Sequence, residues 1–293
     1  MTVRQIYFVG LLQNVDSSIL KVKLENNFRF NSITKSEGIE LFSVLENLPW
    51  HKLITKLFMD YPCLNPNLEM FFIVENSFNS DLFNNMSKFN NELVAHLSPK
   101  IRLMRLFKEG NIGMPLQYYF LKDPLTSLLQ SSEQAYISSR SCYSLSDVEI
   151  DQLQNFLEKT NLPFKHKYIQ LAFENFELSY KVDSPQLAFL TLMNGLEASF
   201  NPVRGEIIYR LSRNCAVLLG KNKQDADEIY RNVKNLYDLR SSIVHGGKVN
   251  VEGGKIFELR GYLRESIKKL YILDKPKEEV LKNLNESGFG EQA

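Results

Sequence analysis

Cysteine is scarce in this chain of 293 residues: Cys63, Cys142 and Cys215 stand far apart, odd in number and without a CxxC pair. That spacing argues against a disulfide framework and against a thiolate zinc site, and it fits a reducing, cytoplasmic setting. Histidine is scarcer than lysine or arginine by far, and none of His51, His96 and His166 stands at a metal-ligand spacing from another His, Cys or Asp. No metal or cofactor is therefore expected. Long hydrophobic runs are also missing. The longest near the start, Ile6 to Leu12, is too short to span a bilayer and lacks a small-residue cleavage pattern after it, so neither export nor membrane insertion is expected. There is no glycine-rich phosphate loop, because Gly246-Gly247 and Gly253-Gly254 bracket a turn between helical patterns rather than follow a strand. A serine nucleophile elbow and a kinase signature are absent too.

What remains has the apolar and charged fractions of a globular protein, 44% and 24%, in a chain long enough for two cores. Asp183-Ser-Pro185 marks the expected join, since it offers an N-cap and a first-turn proline to the helix that follows. Residues 1–182 read as an α+β domain. Strands are expected over Gln5 to Gln13, Leu20 to Phe30 and Glu69 to Val74, and helices over Gly38 to Met59, Asp81 to Phe107 and Asp147 to Lys159. Within the second of these helices, Lys100, Arg102, Arg105 and Lys108 read as the basic outer face of an amphipathic helix. His166 falls in an expected loop. Residues 183–293 read as an all-α bundle whose helices run over Leu187 to Phe200, Gly205 to Leu219, Asp225 to His245 and Lys255 to Leu273.

One helix stands out. Ile229, Val233, Leu236, Ile243 and Val244 recur at steps of three and four, and Arg240 falls inside that apolar stripe. A guanidinium turned inward must find acceptors, so an acid or an anionic ligand is implied. His245 follows at the helix end, before Gly246 and Gly247, where a glycine in the left-handed region is the usual stop. In the preceding helix Glu197 shares a side with Met193, Leu196 and Phe200, which makes it an inward-facing acid and the expected partner of Arg240. Arg210 and Arg213 compete for that glutamate.

The wording YDLRSSIVHG, with four residues between Arg240 and His245, resembles the RxxxxH signature of the HEPN superfamily, and most closely its Apea-like branch. The segments LEASF (Leu196 to Phe200) and EIIYRLSRNCAVLLG (Glu206 to Gly220) resemble earlier helices of that branch, and the likeness covers roughly 184–273. The resemblance implies a HEPN-like helical bundle that dimerises and a metal-independent endoribonuclease with Arg240 and His245 as catalytic residues. It also implies products ending in 2′,3′-cyclic phosphate. A role in phage defence or as a toxin, with an antitoxin or regulatory partner, rests on the same likeness. The chain departs from the commonest ribonuclease form in having Ser241 directly after the arginine, where Asn, Asp or His is frequent.

The chemistry asks for the same residue types. Cleaving RNA needs a base for the 2′-hydroxyl, an acid for the leaving oxygen, and positive charge on the phosphorane-like transition state. Histidine, ordinarily titrating near ~6.5, serves either proton role, and arginine offers a fork that fits phosphate. One histidine cannot easily do both in one turnover, so two chains sharing a site across a two-fold axis is the economical arrangement. Tyr237 and Ser241 are expected in support. The net charge of +1 hides a surplus, because 201–270 holds 14 basic and 8 acidic residues. Arg204, Arg210, Arg213 and Lys234 are thus candidates for binding RNA phosphate, against the plainer reading of a solvated surface. The alternative function is a non-catalytic HEPN module that binds a nucleotide, RNA or a protein partner.

Overall fold

The computed structural model describes residues 5–47, 52, 70–79, 86–122, 125–132, 142–201, 206–246 and 250–290. The chain divides into two compact units, 1–161 and 162–293. The first is α+β and the second helical, as the patterning implied, but the division lies 21 residues before the expected join at 182/183. The difference comes from one helix, Lys167–Lys181, which packs with the helical unit through Ile169, Ala172, Phe173, Phe176 and Tyr180. Those residues step by three and four, so the helical signal was present where a loop and a domain end were expected.

In the first unit an antiparallel sheet runs in the order β2-β3-β1-β4-β5, with β1 Gln5–Gln13, β2 Arg29–Thr34, β3 Met70–Asn79, β4 Gly113–Lys122 and β5 Leu125–Ser132. β1 lies between β3 and β4, where Leu11 faces Ile73 on one side and Leu116 on the other. Alternate residues of β1 serve different faces. Val9 and Leu11 join Phe42, Tyr118 and Phe120 in one cluster, while Phe8 meets Phe28 and Tyr119. Described helices of this unit are α1 Lys35–Glu46, α2 Met86–Phe107 and α3 Asp147–Lys159. α1 and α3 each start with a reciprocal capping box, Thr34 with Glu37 and Ser146 with Glu149. Apart from Lys52, the remainder of the helix expected to reach Met59 lies outside the described residues, as do His51 and Cys63.

Two expectations for this unit change. Of the strand expected over Leu20 to Phe30 only Arg29 and Phe30 are strand: Leu20 and Lys21 end a short 3-10 helix, Ser17–Lys21, capped by Asp16, and Asn26 and Asn27 form a turn with positive φ of 57° and 62°. The basic face expected on α2 is not an open surface. Arg105 is buried and its Nη1 donates to the Ile112 carbonyl at 2.6 Å, while Lys108 bonds Ser144 O and Glu149, and Lys100 bonds Leu157 O.

The second unit comprises α4 Lys167–Lys181, α5 Pro185–Phe200, α6 Ile207–Leu219, α7 Lys223–Val244, α8 Gly253–Leu273 and α9 Lys277–Glu286. Ser184 caps α5 and Pro185 occupies its first turn, as the sequence implied. α5 packs against α4 and α8, and α6 against α7. Gly195 lets α5 come close to both α4 and α8, because a Cβ there would lie 2.5 Å from Leu263 of α8 and 3.3 Å from the Ala172 carbonyl of α4. Phe189, Leu192, Met193, Leu196 and Phe200 of α5 are fully buried, each contributing about 1.5–3 kcal/mol on removal from water.

Candidate functional site

The site lies between α5 and the C-terminal half of α7. Asn222 caps α7, accepting from the Asp225 amide, and the helix buries Ala226, Ile229, Val233, Leu236 and Tyr237. Full burial then ends. Leu239, Arg240 and Ile243 are only half-buried and Val244 is 51% exposed, so the full burial expected to continue along the apolar stripe stops at Tyr237 and the end of the helix is open to water. His245 is the C-cap and is exposed, its amide bonding Ser241 O at 3.0 Å; Gly246 follows at φ +82°, the left-handed stop expected of it. No described residue hydrogen-bonds the His245 ring.

Arg240 stands five residues before His245, about 7.5 Å back along the axis and ~140° round it. Its Nε lies 3.5 Å from Glu197 Oε1, so the glutamate expected to meet it does, with the two side chains 26% and 21% exposed. The pairing is loose. Both atoms are shut away from water, yet the contact falls outside hydrogen-bond geometry and neither has a hydrogen-bond partner among the described residues. The guanidinium also lies 5.6 Å from the Tyr237 ring centre. Burial pushes the Tyr237 hydroxyl above its ordinary range, and the neighbouring Glu197 carboxylate adds to that while Arg240 opposes it. Tyr237 is thus a neutral hydrogen-bonding group against a paired but unsaturated cation.

The other candidates separate. Ser241 is half-buried beside Arg240, whereas the Ser242 hydroxyl donates to Asp238 O at 3.1 Å. Lys234 is exposed and Arg210 half-buried, and neither side chain has a described partner. Arg204 lies outside the described residues. Arg213 does not fit the role expected of it, because its guanidinium donates to the carbonyls of Leu284, Asn285 and Ser287 and so closes the end of α9. It is equally unavailable to Glu197.

The basic surplus also means less than it did in the sequence. Arg260 and Arg264 of α8 are buried against α4, Arg260 with its guanidinium 4.1 Å from the Tyr180 ring centre and its Nε donating to Ser179 Oγ. Arg264 donates to the Tyr180 hydroxyl at 3.2 Å, and Lys269 to the Leu218 carbonyl at 2.7 Å. These cations hold helices together. What the sequence reading did not single out is a groove of about 630 Å³ lined by Glu206, Ile207, Ile208, Tyr209, Tyr230, Lys234 and Tyr237. Its signal was legible, since Tyr230, Lys234, Tyr237 and Ser241 fall at steps of four, three and four along one line of α7.

Among the described residues, no three of His, Cys, Asp and Glu gather as metal ligands, and no helix is long and apolar enough to cross a membrane. Comparison of the chain with family models, curated proteins and solved structures finds no match.

Proposed function

We propose that the chain is a metal-independent endoribonuclease of HEPN type, acting as a homodimer, with Arg240 and His245 as its catalytic residues. The observation that carries this reading is the contrast at the end of α7: an exposed histidine whose ring no described residue holds, about one and a half turns from a partly exposed arginine whose ion pair with Glu197 falls short of a hydrogen bond. In the proposed reaction His245 takes the proton of a 2′-hydroxyl, whose oxygen attacks the adjacent phosphorus. The bond from phosphorus to O5′ breaks, and the partner's His245 protonates the leaving oxygen. Arg240 neutralises the non-bridging oxygens in the transition state, and the products are a 2′,3′-cyclic phosphate and a 5′-hydroxyl. Val244, an exposed apolar residue beside His245, supports a second copy meeting this helix end. Glu197 and Tyr237 orient the arginine, and Ser241 is placed to bond phosphate.

A second reading has its own support. Glu197 already neutralises Arg240, so the motif is also compatible with a non-catalytic module that binds RNA, nucleotide or protein. Service in a defence or toxin system, with an antitoxin or regulatory partner, belongs to the proposal through the sequence resemblance. The experiment is incubation of the purified protein with structured and unstructured RNA in EDTA, alongside Arg240→Ala and His245→Ala. Cleavage leaving cyclic phosphate ends, removed by both substitutions, is the expected result. Wild-type cleavage that survives His245→Ala would overturn the assignment.

A further inference from the structure

The groove beside the site has a chemistry of its own. Tyr209 is 51% exposed, its ring 6.4 Å from Tyr230, which rests in turn against Phe289 at 5.9 Å. A tyrosine held at an angle to one aromatic ring and half open to water offers apolar ring surface to a ligand. Lys234 stands in the same lining, exposed and without a described partner, and α6 begins there with no capping hydrogen bond from Glu206. Aromatic faces interleaved with a free cation suit an unpaired base and its phosphate. Such a groove does not suit a duplex, whose base faces are already stacked. Glu206, also in the lining, repels phosphate but accepts from the exocyclic amine of a base. Tyr237 is shared: it lines the groove and lies against Arg240. Tyr230 and Ser241 are eleven residues apart, three turns and about 16 Å along one face of α7, a span that accommodates two to three nucleotides of extended strand.

We propose that Tyr209, Tyr230 and Lys234 form a subsite for one unpaired nucleobase of a single-stranded RNA, seated next to the phosphate position at Arg240. The inference rests on the ribonuclease reading for its position, and it predicts binding as well as cleavage. Its test is fluorescence anisotropy with a 2′-O-methyl oligoribonucleotide, which cannot be cleaved, presented single-stranded, as a duplex, and with abasic positions. Expected is a preference for the single strand with bases over the other two. Tyr209→Ala should weaken that binding roughly 5- to 150-fold, the range of one lost base stack, while Tyr209→Phe retains it. Lys234→Ala should flatten the salt dependence. Tyr209 is on the surface, so circular dichroism of Tyr209→Ala should match the wild type. Equal affinity for duplex and single strand, or an unchanged constant for Tyr209→Ala, would overturn the subsite even if the protein cleaves RNA. Discriminating binding without any cleavage would leave the subsite standing and remove the ribonuclease reading. No RNA binding, with a dimer that dissociates in Tyr209→Ala, would make the groove a self-association surface and overturn it.

Discussion

Two seams of the helical unit each carry arginine against tyrosine, and they treat it in opposite ways. Between α4 and α8, Arg260 is 2% exposed, its guanidinium stacks on Tyr180 and its nitrogens donate to Ser179. Between α5 and α7, Arg240 is 26% exposed, lies farther from Tyr237, and approaches Glu197 without completing a hydrogen bond. Removing a cation from water is costly unless its donors are satisfied, so the first arrangement is what a structural arginine requires. The second leaves capacity unused. A partly exposed arginine with an incomplete ion pair, about one and a half turns from an exposed histidine, is the better candidate for touching a ligand.

The comparison breaks most readily at the catalytic readout. Arg240→Ala or His245→Ala should lower RNA cleavage by about 10²- to 10⁴-fold, the range for a positioned proton-transfer group, with the urea midpoint almost unmoved. A gel assay in EDTA paired with a melting curve checks both halves. Next in size, Arg260→Ala should destabilise the helical unit by about 3 kcal/mol or more, because it empties a buried site and strands its partners. If equilibrium unfolding shows Arg240→Ala costing as much as Arg260→Ala, the two seams are alike and the contrast fails. Gly195→Ala should cost ~1–3 kcal/mol by forcing Leu263 aside where α5 meets α8, read as a lower melting temperature. A double-mutant cycle of Glu197→Gln with Arg240→Lys should give coupling of roughly 0.2–1 kcal/mol, as for other partly exposed pairs. Zero coupling would show that the glutamate does not orient the arginine. The smallest effect lies in the first unit. There Lys108 and the Ser146 cap hold the Glu149 carboxyl down at about 2, below its ordinary 4.5. A lowered folded-state value stabilises above the unfolded one, so that contribution should be complete above pH ~4.5 and fade as pH falls towards 2. Acid titration of Glu149→Gln should show a shallower loss.

Much of this architecture was legible in the residues. α3, α5 and α7 were delimited within two residues because caps and periodicity agree: Ser146 before α3, Ser184 and Pro185 before α5, and Gly246 after α7. The Glu197 contact followed from one acid and one base on inward faces. What escaped had physical reasons. β4 is buried on both faces, so Met114 to Leu121 is a nearly unbroken apolar run without the alternation that marks a half-buried strand. α9 has only ten residues and three buried ones, Val280, Leu281 and Leu284, too few to declare a period. Arg213 looked like a phosphate ligand because a sequence does not disclose that carbonyls 71 to 74 residues later will occupy it. The basic surplus misled for the same reason: charge is counted along the chain, whereas burial is decided across it.

The way α7 ends has a mechanical consequence. Its root is clamped by Val233, Leu236 and Tyr237, Arg240 meets Glu197 a turn later, and the final turn extends past that contact like a cantilever, with His245 at the tip. A tip supported mainly by its own backbone bonds frays without unfolding the bundle behind it. Amide exchange at His245 should therefore run far ahead of exchange at Val233, and whatever docks on the tip, a strand of RNA or a second copy, gains leverage over the histidine's direction by stiffening a single turn of helix.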